Sequence, residues 1–175
     1  MKQILLTVLL LSSVLFADDD YFSFFSKKAG VKPVDNQLYL KECGSCHFAF
    51  QPGLLPKRSW EKMMRTLDNH FDTDASLDSM DQQQILNYLV KNASDESMSY
   101  KRSAKITRSL YKDEAPLRVT EVPYFIRKHR EIPRRIIEQK EVKTLSNCTA
   151  CHTTAEKGVY SERAIRIPNY GRWDD

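Results

Sequence analysis

Apolar residues recur along this chain mainly at the three- and four-residue spacing of helices, and no long segment alternates between apolar and polar positions. Only five glycines occur among the 175 residues. The pattern predicts a mainly α-helical protein with irregular connections and no segment of low complexity.

The strongest apolar stripe covers residues 60–71, and Ser59 in front of it predicts the N-terminal cap of a helix. A further helix is predicted over 79–92, with Ser79 as its cap. Shorter helices are predicted over 35–47 and near 101–111.

The first 17 residues have the pattern of a secretory signal peptide. Lys2 is basic, the 13 residues from Ile4 to Phe16 are mostly apolar, and Ala17 is a small residue before three aspartates. A membrane anchor is the alternative, but it requires about 20 apolar residues. We therefore expect export to the periplasm and a mature chain that does not span the membrane. Outside the cytoplasm, thiols are normally oxidised, metallated or alkylated.

Charge is unevenly distributed along the mature chain. Residues 18–100 carry 9 basic and 13 acidic side chains, whereas residues 101–143 carry 13 basic and 6 acidic ones. An exported protein rarely meets nucleic acid, so the basic segment favours an anionic cofactor or an acidic protein partner. Within it, Arg127, Lys128 and Arg130 are candidates to neutralise anionic groups of a cofactor.

All four cysteines belong to two copies of one pentapeptide, CGSCH at 43–47 and CTACH at 148–152. Cys-x-x-Cys-His is the attachment motif of c-type haem. Two thiols form thioethers to one porphyrin, and the adjacent histidine ligates its iron. The cysteines predicted to bind two haem c groups covalently are Cys43, Cys46, Cys148 and Cys151.

Zinc and disulfides are the alternatives for these cysteines. A structural zinc site usually has a short loop between its two cysteine pairs, whereas 101 residues separate Cys46 from Cys148. Two local disulfides would not require a histidine after each pair. Both alternatives are therefore weaker than haem.

The remaining histidines, His70 and His129, each fall on a predicted apolar helix face. His70 lies 23 residues after His47, and His129 lies 23 residues before His152. The simplest assignment gives each iron two imidazoles, from His47 with His70 and from His152 with His129. Crossed pairing is the alternative.

Methionine is the other axial ligand that a c-type haem commonly uses. The candidates are Met63, Met64, Met80 and Met98.

Together these patterns predict two small haem-binding domains, at 35–92 and 121–175, joined by a polar connector at 93–120. The second domain contains few helices and more extended segments. Trp173, near its end, is interpreted as a structural lid.

The chain resembles the dihaem cytochrome c family of bacterial periplasmic electron carriers. The resemblance is carried by CGSCHFAFQPGLLPKRSW, MMRTLDNHF, CTACH and the closing IRIPNYGRW. It implies that the N-terminal domain is similar to class I cytochromes c. It also implies bis-histidine ligation by His47, His70, His129 and His152. Membrane cytochromes and small oxygen-binding haem proteins are the redox partners that the family implies.

Two imidazoles per iron leave no open coordination position, which favours outer-sphere electron transfer over catalysis. Imidazole in place of methionine also predicts a low reduction potential. Two alternatives stay open. One is a haem enzyme or gas-binding protein with one labile distal ligand, and the other is a haem subunit of a periplasmic reductase.

Overall fold

A computed structural model describes residues 28–173 of the chain, so the predicted signal peptide lies outside the described residues. Helices in this part are short, and five single 3₁₀ turns connect or extend them. The α-helices are α1 Gln37–Cys43, α2 Lys57–Met64, α3 Ser79–Lys91, α4 Lys101–Thr107, α5 Pro123–His129, α6 Arg134–Ile137 and α7 Cys148–Cys151. The mainly α-helical prediction is confirmed, and isolated bridges such as His152 with Ile165 are the β-structure of the described residues. None of the helices between residues 28 and 173 has the length and apolar character needed to cross a bilayer.

Helix α2 differs from its prediction at both ends. It begins at Lys57 after Pro56, and Ser59 lies buried inside its first turn instead of capping it. It ends at Met64, because the Thr66 hydroxyl donates to the carbonyls of Lys62 and Met63, both at 3.3 Å. The predicted continuous helix to residue 71 is therefore wrong.

Helix α3 has almost the predicted extent but a different cap. The Asp78 carboxylate accepts hydrogen bonds from the backbone N–H groups of Met80 and Asp81, each at 3.0 Å. A carboxylate is favoured over the Ser79 hydroxyl at this position, because it also interacts with the positive end of the helix dipole. The predicted cap is therefore displaced by one residue.

The core forms where α1 and α2 pack on α3, and α4 packs on both α5 and the 3₁₀ turn Pro52–Leu54. Its fully buried side chains include Leu55, Ile85, Leu89 and Val122. The buried residues of one cluster come from both halves of the chain, from Val31 to Tyr124.

Residues 93–120, predicted as a polar connector, contribute to this core. Ala93, Ser94 and Ser103 are fully buried, and the predicted short helix is present as α4. Small side chains allow the backbone to approach closely here: a Cβ on Gly53 would lie 2.5 Å from the Ser103 hydroxyl. The division into two domains stays a prediction.

Candidate functional site

The two pentapeptides adopt different backbone conformations. Cys43 is the last residue of α1, and Cys46 and His47 follow in a turn. In the second copy both cysteines lie within α7, and His152 follows as its C-cap with its N–H bonded to the Cys148 carbonyl at 2.8 Å. The predicted helix over 35–47 therefore stops at residue 43.

The structure brings each pentapeptide histidine close to one of the two other histidines. The ring centroids of His47 and His70 lie 6.2 Å apart, with an angle of 19° between their planes. The rings of His129 and His152 lie 6.1 Å apart, with an angle of 73°. Two imidazoles that each bind one iron at about 2 Å through a ring nitrogen have centroids about 6 Å apart. Both spacings therefore fit an iron between the rings, in the pairing expected from the sequence and not in the crossed one.

One histidine of each pair is oriented by a hydrogen bond to a carbonyl. The Nδ1 atoms of His47 and His129 lie 2.8 Å from the backbone oxygens of Phe48 and Phe125, respectively. Because a carbonyl only accepts, Nδ1 must carry the proton, and Nε2 then keeps its lone pair for a metal.

His129 lies on the last turn of α5, as predicted, and Pro123 occupies the first. Its ring stacks on Phe125, with centroids 3.8 Å apart. His129 is therefore held by its helix, by a ring contact and by a hydrogen bond.

His70 does not lie on a helix face, contrary to the prediction. It follows the 3₁₀ turn Leu67–Asn69 and exchanges two backbone hydrogen bonds with Thr73. Phe71 and Asp72 between them have φ angles of 53° and 69°. This is the conformation of a type I′ turn, which is strained for residues other than glycine. A tight turn thus presents the imidazole that sequence periodicity assigned to a helix.

Each histidine pair shares a cavity with its cysteine pair. The first cavity, of about 1200 Å³, is lined by Cys43, Cys46, His47 and His70. The second is lined by Cys148, Cys151, His129 and His152. Thiols, imidazoles and an apolar volume are therefore gathered as a covalently attached haem requires.

The two cavities adjoin each other. Val119 and Asn147 line both of them. The segment before the second pentapeptide also reaches the first cavity through Thr144 and Ser146. Groups bound in the two cavities are thus close neighbours.

Burial keeps His70, His129 and His152 in the form that binds metal. It lowers the pKa of His70 and His129, and it lowers that of His152 to about 4. Neutral imidazole is the ligand form. Burial also raises the pKa of Cys43 and Cys148 to about 11, so both thiols are protonated at neutral pH.

The geometry bears differently on the alternatives considered from sequence. Met63 and Met64 line the first cavity beside His70, whereas Met80 and Met98 are 73% and 40% exposed and line neither cavity. In the described part of the chain the four cysteines are free, and no three His, Cys, Asp or Glu side chains converge on one point.

Several residues around the cavities escaped sequence reasoning. Tyr160 lies 5.3 Å from the His152 ring, and its hydroxyl bonds to the fully buried Gln51. The Arg118 guanidinium lies 3.7 Å from the Phe71 ring centroid. These contacts join residues distant in sequence, so no local pattern marks them. Trp173 lines the second cavity, where a lid would lie, and so does Lys128, whereas Arg127 and Arg130 do not.

Comparison with known proteins identifies this arrangement. A family model described as dihaem cytochrome c matches residues 39–160. No relative was found among curated protein sequences.

Solved structures with similar folds include two bacterial proteins. A dihaem cytochrome c from Rhodobacter sphaeroides is 43% identical with a TM-score of 0.66, over 74% of this chain and 100% of that one. A dihaem cytochrome c from Shewanella baltica OS155 is 39% identical with a TM-score of 0.65, over 79% of this chain and 98% of that one. With the family match, these likenesses imply two covalently bound haem c groups. The chain belongs to the dihaem cytochrome c family.

Proposed function

We propose that this protein is a periplasmic electron carrier in which two low-potential haems are each closed by two histidines. Bound haem supplies a one-electron Fe(III)/Fe(II) couple. Export is supported by the signal-like pattern of residues 1–17 and by the attachment motifs. The proposed partners are a membrane cytochrome as donor and a periplasmic haem protein as acceptor.

The observation that carries this proposal is the spacing of the histidine rings, 6.2 Å in one pair and 6.1 Å in the other. Two ligands per iron leave no position for a substrate, which favours an electron carrier over an enzyme. Histidine in place of methionine supports low potentials. The shared lining residues Val119 and Asn147 support electron exchange between the two haems.

The proposal is tested by exposing the reduced, haem-loaded protein to carbon monoxide. With four strong imidazole ligands we expect no shift of the Soret band. A rapid shift of one haem would contradict a closed electron carrier.

Ligand assignment is tested by His70→Ala and, as its counterpart, His129→Ala. Each variant should keep both haems covalently attached but convert one of them to the high-spin form. Electron paramagnetic resonance distinguishes the two spin states. Retention of two low-spin haems in either variant would show that the ligand pairs are wrong.

A second candidate function, gas binding at the first haem, is favoured by the surroundings of His70. Its turn is strained at Phe71 and Asp72. In the described residues its imidazole donates no hydrogen bond to a carbonyl, whereas the imidazole of His129 does. The same carbon monoxide experiment separates the two functions. Gas binding requires that carbon monoxide shifts the Soret band of the first haem, and His70→Ala should enlarge this shift.

A further inference from the structure

A cluster of four basic side chains borders the second haem cavity. We call it the basic cluster: Arg102, Lys105, Arg127 and Lys128. Arg102 and Lys128 line the cavity itself. Lys105 and Arg127 lie 5.9 and 5.5 Å from the ring centroid of Tyr124, another residue of the cavity lining.

One carboxylate, Glu162, accompanies the basic cluster in the described part of the chain, through an ion pair with Lys128 at 2.8 Å. The hydrogen bond from Lys128 lowers the pKa of Glu162, and the charges of Arg102 and Lys105 lower it further. Four cations and one anion leave a net charge of +3. The protein side chains that border the second cavity therefore carry an excess of positive charge.

The basic cluster lies where this cavity reaches the surface. Lys128 and Glu162 line the cavity, yet their side chains are 43% and 56% exposed. Lys105 and Arg127 are exposed as well. Arg102 is half-buried, and its guanidinium donates to the Tyr124 hydroxyl and the Tyr160 carbonyl. The cluster thus presents three exposed cations to solvent, while hydrogen bonds hold the fourth, Arg102, in place.

The first cavity has the opposite sign. Its charged lining consists of Glu42, Asp74 and Glu156 against Arg118 alone. Asp74 belongs to the segment that carries His70, which adds four further aspartates and no basic residue between positions 66 and 90. A charged partner therefore distinguishes the two haems by sign before any contact forms.

We propose that the basic cluster is the docking face for a redox protein with an acidic surface, so that such a partner exchanges electrons at the second haem. This inference rests on the proposed electron-carrier function. In each exchange one electron passes between the partner and the haem iron, and no bond is made or broken. Long-range attraction raises the encounter rate at low salt, and screening removes that gain.

The test measures stopped-flow rates between the haem-loaded protein and two surrogate partners. Reduced plant-type ferredoxin is an acidic one-electron donor, and oxidised mitochondrial cytochrome c is a basic one-electron acceptor. We expect the ferredoxin rate to fall about tenfold or more as ionic strength rises to 0.5 M. Lys105→Glu with Arg127→Glu should lower that rate about tenfold at low salt. The cytochrome c rate should not fall in this variant.

Lys62→Glu with Lys91→Glu is the matched control, since it makes the same change in net charge at exposed positions that line neither cavity. Its ferredoxin rate should stay within about twofold of the unmodified protein. Equal losses in both variants would show an effect of net charge only and overturn the docking face. A change in the second haem's midpoint potential, with salt dependence unaltered, would also overturn it, because the cluster would then serve the haem propionates. If neither surrogate exchanged electrons with haems that dithionite reduces, the carrier function itself would fail.

Discussion

At the scale of single residues, His70 and His129 face equivalent partners from unlike backbones. His129 occupies a helix that begins at Pro123, whereas His70 occupies a turn with positive φ at Phe71 and Asp72. An imidazole has only two side-chain torsions, so its backbone must deliver it to the right place. The two histidine pairs thus share a separation of 23 residues in sequence, but a helix positions His129 and a tight turn positions His70.

Gly158 shows how one residue sets the distance between segments. Its φ is 67°, and a Cβ there would lie 2.2 Å from the Val31 carbonyl oxygen. Its own carbonyl accepts hydrogen bonds from the N–H groups of Gly30 and Val31. A side chain at this position would push the N-terminal segment away from the second pentapeptide.

We therefore expect Gly158→Ala to destabilise the haem-loaded protein more than Gly171→Ala. Gly171 has a φ of 94°, but no atom lies within 4 Å of a Cβ built there. The Gly171→Ala variant therefore reports the cost of backbone strain alone. Strain should cost roughly 1–2 kcal/mol in either variant. Overpacking should add at least about 1 kcal/mol at Gly158. Guanidinium unfolding measures both, and equal losses would mean that the contact with Val31 is unimportant.

At the scale of elements, side chains just outside the helices decide where several of them begin and end. Thr66 ends α2 by bonding its last carbonyls, and Asp78 starts α3 by accepting two N–H groups. Thr66 lies four residues before His70, and Asp78 lies eight residues after it. The segment that contains the His70 turn therefore runs from the C-terminal end of α2 to the N-terminal end of α3.

Asp78→Ala should lower the melting temperature by about 2–4 °C at neutral pH, as expected for loss of an N-terminal cap. Hydrogen bonds from the N–H groups of Asp81 and Met80 lower the pKa of Asp78 from 3.8. A carboxylate with a lowered pKa stabilises the fold above its unfolded pKa, and this contribution is lost as pH falls through the folded value.

The melting curves of Asp78→Ala and the unmodified protein should therefore converge below pH 3.8. Asp68→Ala is the control, because Asp68 is exposed and starts no helix. A gap between the curves that is independent of pH would argue against the cap.

At the scale of the whole molecule, contacts between distant segments join the two haem sites. Gln51 is fully buried, donates to the Ala155 carbonyl at 2.6 Å and accepts from the Tyr160 hydroxyl at 2.5 Å. Val119 and Asn147 form a common wall of the two cavities. The residues that surround one haem are thus packed against those that surround the other.

Gln51→Leu should lower the free energy of unfolding by roughly 2 kcal/mol or more, because it leaves two buried polar groups without partners. In the unmodified protein, helix content should be lost and the Soret bands of both haems should shift in one transition, as measured by circular dichroism and absorbance. Gln83→Leu, at an exposed site bonded to Asn87, should change stability little. Two separate transitions in the unmodified protein would instead support independent domains.

The sequence by itself determined the chemistry. Two copies of a five-residue motif specify covalent haem attachment, and two further histidines for two irons leave few ligand assignments. Helical spacing determined that the fold is mainly α, and α5 begins at Pro123, a residue type favoured in the first turn of a helix. These inferences succeed because each depends on residues that are close in sequence.

Tertiary structure decided what depends on residues far apart. The turn at His70 departs from its apolar periodicity because Thr66 ends α2, and the opposing ring of His47 lies across the cavity. Residues 93–120 look polar in sequence, yet small side chains such as Ser103 are buried because they allow close packing. The shared wall of the cavities and the basic cluster arise in the same way, since only folding brings their segments together.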